Sequence, residues 1–367
     1  MTDPDPPVEP QEPADPQKPA EPEKKSGFGK TQWIATIVTI LVLILVFVVV
    51  FPKFADYQQA WDAIQAMSTG WIVALIVATI ILIIVYVWPF QAALPGLKYK
   101  PGFIVRQTSF MISNVIPAGG AIGLGVQYGM LNGYGFGPAP STSVIGITSV
   151  WNTFVTLGLP VVALLGLVAT SQASSEAVMV TIIGVVVIGV GIGVFALILR
   201  SEQTARRIGE WADGVVDWAA GLIKKQPDLD IGQALVDFRA SIVVVVSERW
   251  LLITATNLFQ QLMQFSILYI AILAIQGGFG GSISLIEAFA AFAFARLATF
   301  IPIPPGGLGT TDAIMTGALT AFGLSNGDAL AATLIWRAAT YFPQVFIGLG
   351  SFLWWRHEQR NKASTAT

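Results

Sequence analysis

The chain has 367 residues, 54% of them hydrophobic and only 11% charged, with a formal net charge of −2. A soluble domain carries roughly 25% charged residues, so this composition belongs in lipid. The lack of cysteine excludes disulfides, thiolate metal sites and cysteine nucleophiles, and a single histidine, His357, argues against a histidine-built metal site or a Ser-His-Asp triad. No metal, cofactor or nucleic-acid partner is expected.

Residues 1–23 hold seven acids against Lys18, together with eight of the 21 prolines. Such a segment cannot bury enough apolar surface to fold, so residues 1–30 read as a disordered, acidic, Pro-rich tail. Its acidic start is not that of a signal peptide, which begins with a basic region. Six apolar runs follow, at 32–51, 70–90, 141–169, 177–199, 250–275 and 329–355, the last of them carrying Arg337. Each approaches or exceeds the roughly 20 apolar residues that a membrane crossing takes. The runs are continuous rather than alternating, so they read as helices and not as barrel strands. Trp33, Trp71, Trp88, Trp250, Trp354 and Trp355 sit near predicted span ends, as an interfacial belt would. A short amphipathic piece at 54–67 is expected on the outer face.

Lysine and arginine cluster on one side of these spans. Lys24, Lys25 and Lys30 precede the first span, Lys98 and Lys100 follow the second, and Arg356, Arg360 and Lys362 follow the last. The 200–249 loop adds Arg200, Arg206, Arg207, Lys224, Lys225, Arg239 and Arg249, while 170–176 and 276–283 have no basic residue. The positive-inside rule therefore predicts a multi-pass protein with both termini and the 200–249 loop in the cytoplasm. Within that loop, Ile208, Trp211, Val215, Trp218 and Leu222 form one apolar stripe, predicting an amphipathic elbow packed on the bundle. A second helix is expected after Asp228 or Asp230. The membrane domain is read as 31–356, with a cytoplasmic tail at 357–367.

For this topology to close, the apolar segments 103–140 and 284–325 must each return to the side they entered from. Both are interrupted by Pro and Gly: Pro117, Gly119 and Gly120 in the first, and Pro304, Pro305, Gly306, Gly307 and Gly309 in the second. Proline removes a backbone donor and glycine weakens a helix. Irregular backbone survives in a membrane only where protein buries it or a wet cavity touches it. Both segments read as hairpins, re-entrant or made of broken helices. Aligning Gly119-Gly120 with Gly306-Gly307 also aligns Pro117 with Pro304, and the predicted entry sides are opposite. Such a pair points to an inverted repeat with a binding site near the midplane. The expected fold is an all-α polytopic membrane protein of about six full spans plus two Gly/Pro-broken hairpins, similar in size to an eight-span bundle.

Charged side chains inside spans are costly and are functional candidates by default. Arg106, Arg296, Asp312 and Arg337 stand out. Arginine offers a planar fork that matches phosphate and keeps its charge. Three arginines near two broken hairpins would suit an anionic headgroup, with Asn114, Gln127 and Asn152 available for hydroxyls. Asp312 could pair with an arginine or with a substrate amine. The competing reading is that the arginines only hold the bundle and the glycines only allow close packing.

The stretch PPGGLGTTD (304–312), followed by the Arg-bearing run ATLIWRAATYFPQVFIGLGSF, resembles the lysylphosphatidylglycerol synthase/flippase transmembrane-domain family. RQTSFMISNVIPAGGAIGLG (106–125) is similar to that family's earlier signature, and the resemblance spans roughly 30–356. The family usually has Glu where this chain has Asp312. The resemblance implies a bacterial cytoplasmic-membrane protein with a lipid cavity between two hairpin repeats. Members are implicated in moving phospholipids or polyprenyl-linked lipids between leaflets, or in partnering lipid-modifying enzymes. Full-length synthases add a soluble aminoacyltransferase domain, which is not expected here because the sequence runs only about ten residues past its last span. The expected function is a non-enzymatic flippase or transporter of an anionic phospholipid or polyprenyl-linked lipid. The alternatives are an enzyme or subunit in lipid-linked sugar or aminoacyl-lipid metabolism, and a regulatory membrane partner. Arg296→Ala and Arg337→Ala are expected to weaken lipid binding more than folding.

Overall fold

In lipid, every backbone N–H and C=O must find a partner within the protein, and long apolar runs do so by winding into helices. The computed structural model describes residues 57–116, 119–170, 175–222, 231–300 and 307–365, and every regular element among them is helical. The tail over 1–30 and the run over 32–51 lie outside the described residues, as do Pro117, Pro304, Pro305 and Gly306.

Helix α1 (Tyr57–Gln65) precedes α2 (Thr69–Val85). The helix path is then interrupted at Tyr86 and Val87 before α3 (Trp88–Ala93), which carries Pro89 in its first turn. Next come α4 (Tyr99–Val115), α5 (Gly119–Gly133), α6 (Pro138–Ala169), α7 (Ser175–Arg200) and α8 (Glu202–Leu222). The chain continues through α9 (Ile231–Gln276), α10 (Leu285–Leu297), a 3-10 turn (Ala298–Phe300), α11 (Thr310–Ala321) and α12 (Asn326–Thr365). Among the described residues, three helical stretches are long and apolar enough to cross a membrane: Thr69–Ala93, Pro138–Ala169 and Leu235–Gln276. They contain the predicted spans 70–90, 141–169 and 250–275. The runs 177–199 and 329–355 fall within α7 and α12, of 26 and 40 residues.

Three local expectations change. The elbow's second helix and the following span are one continuous 46-residue helix, α9. No proline or glycine occurs between Gly232 and Gly277, so nothing local stops it. At 1.5 Å per residue it is about 70 Å long, more than twice the hydrocarbon thickness. Next, α12 continues to Thr365, so residues 357–365 of the expected tail are helical. There Gln359 Nε2 donates to the Gly133 carbonyl at 3.3 Å, and Tyr134 Oη donates to Glu358 Oε2 at 3.4 Å. Burial and the Glu358 carboxylate both push the Tyr134 phenol above its ordinary pKa. Finally, the two described residues of the α8 stripe, Ile208 and Trp211, differ in environment. Ala205 and Ile208 pack with Ile198 and Val236, whereas Trp211 is 72% exposed.

Both Gly/Pro segments are helical hairpins. In the first, α4, which ends at Val115, and α5, which begins at Gly119, pack against each other. A Cβ on Gly123 would strike Ser113 Oγ, and one on Gly119 would strike the Ile112 carbonyl. Ser109 Oγ donates to the Gly123 carbonyl at 3.2 Å and accepts from Gln127 Nε2, closing the hairpin with buried hydrogen bonds. In the second, α10 and α11 pack together, and Gly323 lies against the Ser282 carbonyl at the open end. The helix lengths are 17, 15, 13 and 12 residues. These correspond to about 18–26 Å, so no arm alone crosses a hydrocarbon core of roughly 30 Å.

The packing of these hairpins is reciprocal. Each is followed by a long helix with an internal proline: α6 with Pro160 and α12 with Pro343. The first arm of each hairpin packs on the other hairpin's long helix, α4 on α12 and α10 on α6. The second arm packs on its own, α5 on α6 and α11 on α12. The mouths face opposite ways. The first hairpin's mouth meets the end of α12 through Gln359, and Lys100 Nζ lies 4.7 Å from the centre of the Trp354 ring. The second hairpin's mouth meets the far end of α6, where a Cβ on Gly166 would strike Ile286. This is the exchange pattern of an inverted pseudo-two-fold, and it matches the hairpin alignment read in the sequence.

The α4–α12 contact depends on Gly348, where a Cβ would strike the Gln107 carbonyl and lie 2.6 Å from Met111 Cβ. Gly348→Val is expected to destabilise by about 1–3 kcal/mol, as overpacking does. Thermal unfolding in detergent measures this, and Gly350→Val, where a Cβ meets nothing within 4 Å, is the control.

Candidate functional site at the hairpin tips

The two hairpin tips meet the middle of α12. Arg337 lies 11 residues into that helix, about 16 Å from its start. Tyr341, one turn further, donates its hydroxyl to the Asn114 carbonyl at the tip of the first hairpin, at 2.7 Å. Arg337 reaches Asp312 at the tip of the second. Its Nε and Nη2 each lie 2.7 Å from Asp312 Oδ1.

The tip of the second hairpin is shaped for this pair. Gly307 (φ 63°) and Gly309 (φ 83°) take left-handed conformations that other residues rarely adopt, turning the chain sharply into α11. Asp312 stands in the first turn of that helix, and its Oδ2 accepts the Gly309 backbone N–H at 2.9 Å. A carboxylate there complements the helix dipole as well as the arginine. Asp312 is 1% exposed, and both its oxygens are taken by protein donors.

The other two arginines are placed differently. Arg106, on α4, lies between two rings, with its guanidinium carbon 4.5 Å from the Tyr86 centroid and 4.8 Å from that of Phe90. Cation–π contact of this kind partly replaces lost hydration. Arg296, at the end of α10, is within electrostatic reach of both Tyr86 and Arg337. The Nε atoms of Arg106 and Arg296 are buried without a hydrogen-bond acceptor, and neither residue has a carboxylate partner among the described residues. The tip residues outside the description, 117–118 and 301–306, contain no charged side chain. Arg337 is thus paired with Asp312, Arg296 lies within electrostatic reach of Arg337, and Arg106 sits against Tyr86 and Phe90.

Aromatic rings connect them. Tyr86 packs edge-on against Phe110, with centroids 5.7 Å apart, and Phe110 against Tyr341 at 6.2 Å. Around this centre, Val115, Phe300, Phe342 and Phe346 are exposed, as lipid-facing groups are in a membrane protein.

The sequence-derived candidates thus fall into distinct places. Arg106, Arg296, Asp312 and Arg337 come together. Asn114 is at the same centre, but its side-chain Nδ2 donates back to the Phe110 carbonyl at 2.7 Å. Gln127 is used inside the first hairpin, and Asn152 lies at the α6–α9 contact, where its Oδ1 accepts from Gln261 Nε2 at 3.4 Å. Of the hairpin residues, Gly307 and Gly309 form the turn into α11, while Gly119 begins α5 with its N–H bonded to the Ile116 carbonyl at 2.8 Å and Gly120 follows it there. Sequence reasoning missed Tyr86, Phe90 and Tyr341. The signal for the first two was Pro89, which interrupts an otherwise unbroken apolar run and presents rings on either side of the break.

A UPF0104 membrane protein of Methanothermobacter thermautotrophicus is 26% identical over 200 residues, covering 54% of this chain and 59% of that relative. The chain therefore spans less than two thirds of that relative's length. The family described as lysylphosphatidylglycerol synthase TM region matches residues 33–348, which include both hairpins and all four charged residues of the centre. This is a membrane protein built on transmembrane helices, and it belongs to the lysylphosphatidylglycerol synthase transmembrane-region family.

Proposed function

We propose that this protein moves an anionic lipid between leaflets, holding the headgroup at the hairpin tips while the acyl chains stay in the bilayer. The observation that carries the reading is the pair of arginines, Arg106 and Arg296, whose buried Nε atoms lack an acceptor. An unpaired charge inside a membrane domain is expensive, and a phosphate oxygen is the natural acceptor for a guanidinium fork. Asp312 has a supporting role, fixing Arg337 and the turn of the second hairpin. The exposed aliphatic and aromatic surface beside the tips suits the tails of a lipid whose headgroup is inside. Reciprocally packed, inverted hairpins supply two related arrangements through which the site could open to either face.

The face bearing Lys98, Lys100, Arg200, Arg206, Arg356 and Arg360 is placed in the cytoplasm by the positive-inside rule, which puts the C-terminus there as well. The protein itself is not assigned a covalent step. The test is reconstitution into vesicles carrying a fluorescent phosphatidylglycerol, with a membrane-impermeant quencher reporting exchange between leaflets. Faster exchange with wild-type protein, lost in Arg296→Ala, is the expected result. Exchange no faster than in protein-free vesicles, with that lipid and with a fluorescent phosphatidic acid, would sink the transport reading.

A further inference from the structure

The charge count at the hairpin tips says more than that the ligand is an anion. Arg337 is matched by Asp312, and the structure shows both contacts. Arg106 and Arg296 are not matched among the described residues, which leaves two positive charges, one against the Tyr86 ring and one within electrostatic reach of the same residue. The nearest other acid on the second hairpin is Glu287, nine residues before Arg296 on α10. It is bound to Ser284 at the mouth, about 13 Å along the helix axis. Arginine does not shed its proton to relieve such a site. A headgroup with one negative charge would leave one guanidinium uncompensated, whereas a headgroup with two would neutralise the centre.

We infer that the site selects a lipid whose phosphate carries two negative charges, a phosphomonoester or diphosphate, over a phosphodiester with one. This rests on the headgroup-site reading above and narrows its substrate class. Arg106, stacked between Tyr86 and Phe90, supplies a charge with its position fixed. Arg296, at the hairpin tip beside residues 298–300, supplies the second.

The test compares dioleoyl phosphatidic acid with dioleoyl phosphatidylglycerol, each bound to the purified full chain in detergent and read by native mass spectrometry between pH 5 and pH 8. A phosphomonoester loses its second proton near pH 6, so phosphatidic acid changes charge across this range while phosphatidylglycerol does not. At pH 8 phosphatidic acid is expected to bind about tenfold more tightly, and at pH 5 the two lipids are expected to be nearly equal. Arg296→Gln is expected to remove the pH 8 preference, and the pH dependence of the wild type tests the charge count without any variant. Equal binding of both lipids at pH 8, each weakened by Arg296→Gln, would overturn the two-charge inference and leave the headgroup site standing. Binding of neither lipid above phosphatidylcholine would overturn both. Inorganic phosphate in about tenfold excess over the lipid is expected not to displace it, and full displacement would overturn the assignment to a lipid-borne phosphate.

Discussion

Asp312→Ala is expected to be the most destabilising single change at the hairpin tips. The carboxylate is 1% exposed, accepts a hydrogen bond from Arg337 Nε with the Nη2 charge also 2.7 Å away, and caps the first turn of α11 through the Gly309 N–H. Removing it leaves a charged guanidinium without its counterion and a backbone donor without its acceptor. Breaking one side of a buried pair costs about 3–5 kcal/mol, and loss of a helix cap about 1 kcal/mol more. Thermal unfolding in a mild detergent would show the loss. The ion pair itself is isolated by a double-mutant cycle with Arg337→Met. The double variant is expected to be more stable than Asp312→Ala alone, because it no longer buries an unmatched charge. A double variant with the summed loss of the two single changes would mean that the pair does not couple, and Asp312 would then act only as a cap.

Arg296→Ala is expected to do the reverse. Its guanidinium has no carboxylate partner among the described residues, and its buried Nε has no acceptor. Removing an unsatisfied buried group relieves a cost of about 1–3 kcal/mol, offset by lost packing of the side-chain stem. The melting temperature should therefore stay the same or rise slightly. Headgroup binding should fall at least about tenfold, since a charge-assisted contact of roughly 1.5–3 kcal/mol is lost. Native mass spectrometry of retained lipid, alongside melting curves for the same samples, gives both numbers. A fall in melting temperature that tracks the loss of lipid would return Arg296 to a packing role. The structure separates Arg296 from Arg337, which the sequence alone treated alike. Arg337→Ala strands Asp312, so binding and stability are expected to fall together.

The inverted hairpins also bear on how such a site could move. Arg337, Tyr341 and Pro343 lie within two turns of α12, where both tips make contact. Proline within a helix removes a backbone hydrogen bond and permits a bend. Displacement of either tip would therefore act on the same short stretch of α12. The two tips are not chemically equivalent. Alignment of the diglycines places Gly125 opposite Asp312 and Val150 opposite Arg337, so only the second hairpin and its long helix carry the ion pair.

Several features were legible in the sequence because their causes are local. An apolar run must be helical in lipid, and Pro and Gly interrupt a helix wherever they fall, so the hairpins at 103–140 and 284–325 could be read directly. The basic residues that define one face are likewise a matter of counting along the chain. Pro89 marked the interruption beside Tyr86 in the same way. The absence of Gly and Pro after Gly232 was also visible, yet the elbow's second helix and the span from 250 read as separate elements rather than as the continuous α9. What the tertiary structure alone decided is which helix faces meet. Arg337 and Asp312 are 25 residues apart, and Tyr341 and Asn114 are 227 apart. No periodicity encodes such pairings. They follow from the reciprocal packing of α4 on α12 and α10 on α6, which brings four charges scattered over 230 positions to one centre and leaves Arg106 and Arg296 there without a carboxylate.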